Sequence, residues 1–132
     1  FLISTHKPII YVNFEKAFVL YTNKSYFESI ILNLLTNSLK YKSDKHSLEI
    51  HITSDWHDNN AVIVFKDNGI GIDLERNKDK IFGLYQRFHS HTEGKGLGLY
   101  LVKSQVESMG GTINIESEVD KGTTFKITFN NN

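Results

Sequence analysis

Two segments near the end of the chain, residues 112–117 and 123–129, alternate strictly between apolar and polar side chains. A period of two is typical of strands that bury one face of a sheet and expose the other. The turn between them ends in Gly122, so we expect the two strands to form an antiparallel hairpin. Because a sheet with one apolar face needs a second layer to cover it, the pattern predicts a two-layer α/β sandwich. Its helices should lie on one face of a mixed, largely antiparallel sheet.

Three other segments have the composition of strands. Residues 48–53 alternate, and residues 61–65 form a continuous apolar run that we expect at the centre of the sheet. Residues 9–14 are β-prone and follow the single proline, and a further short strand is predicted over residues 17–21. The polar residues 55–60 are expected to form the turn that joins the first two segments into a hairpin.

The first helical segment carries a polar stripe beside its apolar face. Residues 25–28 read Ser-x-x-Glu, a capping box that predicts the start of a helix. The apolar face then recurs at helical spacing and consists of Phe27, Ile30, Ile31, Leu34, Leu35, Ser38 and Leu39. At about 100° per residue, Asn33, Asn37, Lys40 and Tyr41 form one stripe along its edge. Asparagine is a poor mid-helix residue, so two of them one turn apart suggest a binding role, such as an amide ligand for Mg²⁺ next to a phosphate-neutralising lysine.

An aspartate ends the predicted central strand, and two glycines spaced by one residue follow it. The carboxylate of Asp67 can accept a hydrogen bond from the exocyclic amine of adenine. Guanine presents a carbonyl oxygen at the matching place, so an aspartate there favours ATP over GTP. Gly69 and Gly71 would let the backbone pass along the ring. A plain Asp-Asn-Gly turn gives the same pattern and stays open as an alternative for this stretch alone.

A glycine-rich stretch, residues 94–98, runs into a second amphipathic helix that is predicted over residues 97–109 and ended by Gly110. Glycines let a backbone approach a ligand closely, and the first turn of a helix presents free N–H groups to an anion. Two common phosphate motifs do not fit this stretch. A P-loop needs a glycine five residues before Gly94, and a dinucleotide fingerprint needs a glycine where Leu99 stands.

The bulk properties of the 132 residues exclude several classes of function. The formal net charge is zero, which gives no support to binding of nucleic acid or of a membrane surface. The absence of cysteine excludes disulfides and thiolate metal sites. The longest apolar run, residues 61–65, is too short to cross a bilayer. We therefore expect one cytoplasmic domain that contacts neither nucleic acid nor membrane.

Four blocks, taken in order, resemble the nucleotide site of the ATP-binding catalytic domain of sensor histidine kinases, in the superfamily of gyrase, Hsp90 and MutL. Residues 33–41 resemble its N box, residues 67–72 its G1 box, residues 81–88 its F box and residues 94–99 its G2 box. The resemblance extends over about residues 8–129. It implies the Bergerat fold, in which helices pack on one face of a five-stranded sheet.

The resemblance implies roles for the polar stripe. Asn37 would ligate Mg²⁺ through its amide oxygen, with Asn33 beside the metal site. Lys40 and Tyr41 would contact phosphate or ribose, and Arg87 in the F box would act at the phosphates. ATPases of the superfamily have a water-activating glutamate at the position of Asn33. Since an amide does not take up a proton at neutral pH, we expect phosphoryl transfer rather than hydrolysis of ATP.

The glycine-containing boxes would form the two ends of the nucleotide pocket. Asp67 would bind the adenine amine, and the residues that would shape the pocket around the base are Gly69, Gly71 and Ile72. The residues that would hold the phosphate tail are Gly94, Lys95, Gly96, Leu97, Gly98 and Leu99. Lys95 departs from the family, which often has threonine there, and a lysine can either contact phosphate or point to solvent.

The resemblance also implies partners outside this sequence. Residues 1–132 are expected to be a single catalytic domain whose acceptor is a histidine on a separate, preceding dimerisation domain. A response regulator receiver domain would follow in the relay. The domain would be cytoplasmic, alone or as part of a membrane-bound sensor, and by itself would bind Mg·ATP without phosphorylating itself. Three alternatives stay open: an ATPase of the gyrase or Hsp90 type, an ATP-dependent switch without catalysis, and a serine-directed kinase of the anti-sigma type.

Overall fold

The structure is a computed structural model that describes residues 8–13, 24–77, 80–83 and 98–129. The helices and strands in these ranges are β1 (Ile9–Asn13), α1 (Lys24–Lys40), β2 (Glu49–His57), β3 (Asn60–Asp67), α2 (Leu74–Asn77), α3 (Gly98–Ser108), β4 (Gly111–Glu118) and β5 (Gly122–Phe129). No helix in the described part of the chain is long and apolar enough to span a membrane.

The described strands form one five-stranded sheet in the order β1-β2-β3-β5-β4. β1 runs parallel to β2, whereas the other three pairs are antiparallel. Phe65 in β3 lies opposite Ile52 on one side and Phe125 on the other, so the continuous apolar run occupies the centre of the sheet. The mixed, largely antiparallel sheet is thereby confirmed. The short strand predicted over residues 17–21 lies outside the described residues.

The hydrophobic core lies between one face of the sheet and the helices. Alternate residues of β2 to β5 point into it, as Phe65 does in β3 and Ile127 in β5, while Lys66 and Lys126 are exposed on the other face. The helices cover the core with buried apolar side chains, namely Ile30, Leu34, Leu99, Val102 and Val106. Burying each such side chain contributes about 1.5–3 kcal/mol. The predicted sandwich, with its helices on one face, is confirmed.

The hairpin between β2 and β3 turns later than predicted. Asp58 and Asn59 both have positive φ values, 52° and 68°, and form a two-residue turn whose twist matches that of the strands. Residues 55–57 therefore belong to β2, and the prediction of a polar turn over residues 55–60 was wrong. The reason is that the alternation continues, because Trp56 packs against the core.

The first helix also differs from its prediction in its start and in the width of its apolar face. α1 begins at Lys24, so Ser25 lies in the first turn rather than at the cap position. Leu39, predicted on the apolar face, is 47% exposed. The buried stripe is narrow and runs through Ile30, Leu34 and Ser38, and Leu39 lies about 100° farther round the helix.

α3 ends at Ser108, one residue before the predicted end, and its final turn closes through Gly110 as expected.

Candidate functional site

The described parts of three of the four sequence blocks lie close together along α1. The loop after β3 reaches the end of α1, where the N–H of Ile70 donates to the carbonyl oxygen of Tyr41 over 2.8 Å. The start of α3 reaches the middle of α1, because Oδ1 of Asn33 lies 3.7 Å from the position that a Cβ on Gly98 would take. The structure thus places the loop of the predicted base end and the C-terminal edge of the predicted phosphate end against α1.

The carboxylate of Asp67 is the most constrained group of this site. The side chain is 5% exposed, and its Oδ1 accepts the backbone N–H groups of Gly69 at 3.0 Å and Thr123 at 3.2 Å. Its Oδ2 accepts the hydroxyl of Ser38 at 2.7 Å. A carboxylate has about four acceptor positions. The three donors from the described residues fill two on Oδ1 and one on Oδ2, which leaves one position on Oδ2 for a further donor. Hydrogen bonds to an ionised group are strong, and three of them fix its orientation.

Sequence reasoning missed two members of this cluster. The buried polar residues of the described ranges are Ser38, Asp67 and Thr123, and Ser38 contacts this carboxylate through its hydroxyl, Thr123 through its main-chain N–H. Ser38 was predicted only as part of the apolar face, and Thr123 only as part of a strand. A signal for Ser38 was present, since a hydroxyl on a core-facing stripe must find a buried hydrogen-bond partner.

The loop after β3 is held on both sides by hydrogen bonds. On the side away from α1, the carbonyl oxygen of Ile70 accepts the N–H of Asp120 at 2.7 Å. The N–H of Ile72 donates to the hydroxyl oxygen of Ser117 at 2.7 Å, and that hydroxyl lies 2.9 Å from the carbonyl oxygen of Gly122. The loop is therefore clamped between the end of α1 and the β4–β5 hairpin, which gives the base end of the site a preformed backbone.

Both glycines of this loop occupy places where a side chain does not fit. A Cβ on Gly69 would overlap the carbonyl oxygen of Tyr41. Gly71 has a φ of 75°, and a Cβ there would overlap the carbonyl oxygen of Glu118. Ile72, also predicted to shape the pocket, is 2% exposed and packs its side chain into the core. Packing of the loop therefore explains why glycine occupies both positions. The role of these two glycines in binding a base stays a prediction.

The predicted metal and phosphate residues lie along one edge of α1. The amide nitrogen of Asn33 donates to the carbonyl oxygen of Ser29 at 2.9 Å, which directs its amide oxygen toward α3. Asn37, one turn later, is half-buried, and within the described residues its side chain makes no hydrogen bond. Lys40 is exposed in the last turn, and Tyr41 follows it half-buried. The stripe therefore offers two amide oxygens and one ammonium group.

These donors fit Mg²⁺ better than a softer metal. Mg²⁺ prefers oxygen ligands and usually takes only one or two from the protein, with phosphates and waters filling the other positions. The uncommitted amide of Asn37 meets that need. Across the residues that the structure describes, no group of three or more His, Cys, Asp or Glu side chains is arranged to hold a metal ion.

The phosphate end of the predicted site is described only at its C-terminal edge. Gly98 is half-buried at the start of α3, and Leu99 is 6% exposed with its side chain in the core. The other predicted residues of this end lie outside the described residues: Arg87, Gly94, Lys95, Gly96 and Leu97.

Comparison with known proteins relates most of the chain to one family. A family model described as "Histidine kinase-, DNA gyrase B-, and HSP90-like ATPase" matches residues 22–132. The methanogenesis regulatory histidine kinase FilI of Methanothrix harundinacea (strain 6Ac) is 38% identical over 101 residues, 76% of this chain and 11% of FilI. The signal transduction histidine-protein kinase ArlS of Staphylococcus haemolyticus (strain JCSC1435) is 34% identical over 119 residues, 87% of this chain and 26% of ArlS. The chain thus spans about a quarter or less of these relatives.

Solved structures of histidine kinases share the fold. The mycobacterial sensor histidine kinase MprB superposes with a TM-score of 0.75 at 22% identity, over 92% of this chain and 82% of that chain. Full-length ShkA in complex with AMPPNP superposes with a TM-score of 0.75 at 20% identity, over 92% of this chain and 25% of that chain. Together with the sheet order and the single helical layer, this likeness identifies the architecture as the Bergerat fold of histidine kinase catalytic domains.

Proposed function

Since the chain belongs to the histidine kinase-, DNA gyrase B- and HSP90-like ATPase family and resembles the ATP-binding catalytic domains of histidine kinases, we propose the following activity. The domain binds Mg·ATP and donates the γ-phosphoryl group to a histidine on a separate dimerisation domain of the same parent protein. A response regulator receiver domain then takes the phosphoryl group from that histidine. The observation that carries the proposal is the buried Asp67 carboxylate, held by three donors with one acceptor position left.

In this proposal, Asp67 recognises the adenine base. Its remaining acceptor position on Oδ2 takes the exocyclic amine of adenine, and a guanine oxygen at that place would repel the carboxylate. The support is the geometry of the cluster, because a carboxylate oriented in advance loses little freedom when the base arrives. The ShkA structure, a complex with an ATP analogue, shares the fold and so supports a nucleotide as ligand.

Asn37 and its neighbours act at the phosphates. Asn37 supplies one amide oxygen to Mg²⁺, Asn33 lies beside it, and Lys40 and Tyr41 contact phosphate or ribose. Asn37 would hold Mg²⁺, which when bound would supply charge neutralisation at the phosphates, the main requirement of phosphoryl transfer. Arg87 and the stretch from Gly94 to Leu99 hold the phosphate tail in this proposal, in which the backbone N–H groups at the start of α3 face the anion.

Asn33 is the reason for proposing transfer rather than hydrolysis. Hydrolysis needs a base that activates water, and an amide does not accept a proton at neutral pH. The amide nitrogen of Asn33 is also committed to the carbonyl oxygen of Ser29 at 2.9 Å. The attacking group is therefore the imidazole of the acceptor histidine. Because cytoplasmic ATP is the substrate, we place the domain in the cytoplasm, with no membrane contact of its own.

Binding and transfer are tested separately. Calorimetry of the chain with Mg²⁺ should detect ATP and give a much weaker response to GTP, whereas equal affinities would contradict the role of Asp67. With γ-labelled ATP, label should appear on the parent's dimerisation domain only when that domain is added. Label on the isolated chain, or release of free phosphate at a rate that matches transfer, would contradict the kinase proposal and favour the serine-directed or ATPase alternatives.

A further inference from the structure

The hydroxyl of Ser38 is used differently from those of two other residues in the helices. Thr36 in α1 and Ser108 in α3 both donate to the carbonyl oxygen four residues earlier, the usual local bond of a hydroxyl in a helix. Ser38 is fully buried and donates across the fold to Oδ2 of Asp67 over 2.7 Å. Such a bond to an ionised carboxylate is stronger than one between neutral groups.

The two oxygens of the Asp67 carboxylate are held by different kinds of donor. Oδ1 is held by the main-chain N–H groups of Gly69 and Thr123, which no change of side chain removes. Oδ2 is held by Ser38, and within the described residues no other side chain donates to this carboxylate. Ser38 therefore decides which acceptor position of Oδ2 is filled and which stays open.

We propose that Ser38 is a positioning residue for base recognition, although it does not itself touch the nucleotide. It fills one acceptor position of Oδ2 and leaves the other directed at the exocyclic amine of the base. The inference rests on the proposed function, since it concerns the same ATP site. Its consequence is a selectivity effect, because the contribution of the amine to affinity depends on a hydroxyl buried behind the carboxylate.

The test compares two triphosphates that differ only in this amine. ATP and the triphosphate of purine riboside, which lacks the amine, are titrated by calorimetry into the wild-type chain, Ser38→Ala and Thr36→Ala. Thr36 is the matched control, because it loses a hydroxyl from the same helix at an exposed position. Ser38→Ala should lose about tenfold of the wild-type preference for ATP over the amine-free analogue. Thr36→Ala should keep that preference.

The possible outcomes separate the inference from the proposed function. Equal affinity of the wild-type chain for the two triphosphates overturns the proposed role of Asp67 and the inference with it. A wild-type preference for ATP that survives in Ser38→Ala, or grows there, overturns the inference alone. An equal loss of affinity for both triphosphates also overturns it, because a general loosening of the site does not depend on the amine.

A second measurement needs no nucleotide. If Ser38 orients the carboxylate, Ser38→Ala should shift the backbone amide resonances of Gly69 and Thr123, which donate to its other oxygen, and Thr36→Ala should leave them in place. Unmoved resonances in Ser38→Ala would contradict the inference. If Ser38→Ala does not fold, Ser38→Cys replaces it. The thiol is slightly larger than the hydroxyl and is a weaker donor, so a partial loss of preference is expected, and an unchanged preference would contradict the inference.

Discussion

The N–H of Ile70 donates to the carbonyl oxygen of Tyr41 over 2.8 Å, which fastens the loop after β3 to the end of α1. The same residue accepts the N–H of Asp120 through its carbonyl oxygen at 2.7 Å. The loop at the predicted base end is therefore held by main-chain bonds to a helix on one side and a hairpin on the other. Substitutions that disturb this clamp should affect stability even without nucleotide.

Gly69→Ala should destabilise the unliganded chain. The new Cβ would overlap the carbonyl oxygen of Tyr41, a main-chain atom that cannot move aside without shifting α1 or the loop. Overpacking of this kind typically costs about 1–3 kcal/mol, measured as the free energy of unfolding in urea. Gly98→Ala is the matched control. Its Cβ meets Asn33 only at 3.7 Å in a helix, so stability should stay the same or rise. Equal destabilisation by both changes would contradict the steric account.

Ser117→Ala should destabilise the chain by removing a hydrogen bond rather than by adding volume. The hydroxyl oxygen of Ser117 accepts the N–H of Ile72, and its loss leaves that donor without this partner at a cost of about 1–3 kcal/mol. Ser108→Ala removes an exposed helical hydroxyl and should stay within about 0.5 kcal/mol of the wild-type chain. The two variants are compared by chemical denaturation, and a difference near zero would argue against the clamp.

Asn37→Ala should remove most of the dependence of ATP affinity on Mg²⁺. The wild-type chain should bind ATP more tightly with Mg²⁺ than with a chelator, because the amide oxygen and the phosphates share the ion. In Asn37→Ala the ratio of the two affinities should fall toward one. Asn114→Ala, an exposed amide on β4, should keep the wild-type ratio. Persistence of the full Mg²⁺ effect in Asn37→Ala would make this residue structural only.

The fold was predictable where the hydrophobic pattern of a short segment determines its secondary structure. Alternation in β4 and β5 and the apolar run in β3 predicted the hairpins and the central strand, and both are confirmed. Errors arose where polar residues carry strand structure. Residues 55–57 are polar except for Trp56, and β2 continues through them because they pair with β3 and Trp56 packs on the core. The prediction for Leu39 was wrong for the opposite reason: the residue is apolar but exposed, because α1 buries only a narrow stripe.

The sequence identified the candidate residues of the site but not the hydrogen-bond partners that hold them. Asp67 and its glycines were found because the chain places them consecutively after a strand. The partners that hold the carboxylate lie far away along the chain, 29 residues for Ser38 and 56 for Thr123. The position of Ser38 on a core-facing stripe indicates that it needs a buried partner but not which one, and a threonine in a strand carries no signal at all. Only the tertiary fold brings them to one carboxylate.

The most direct test of the account is calorimetric titration of Mg·ATP into Asp67→Asn. Asparagine keeps the size of the side chain and an oxygen for the N–H groups of Gly69 and Thr123, so the unliganded chain should unfold at nearly the wild-type temperature. Its NH₂ group would face the adenine amine, donor against donor, and ATP affinity should fall by about 10- to 100-fold. Asp44→Asn, in an exposed loop, should bind as the wild-type chain does. Unchanged ATP affinity in a folded Asp67→Asn variant would contradict the account.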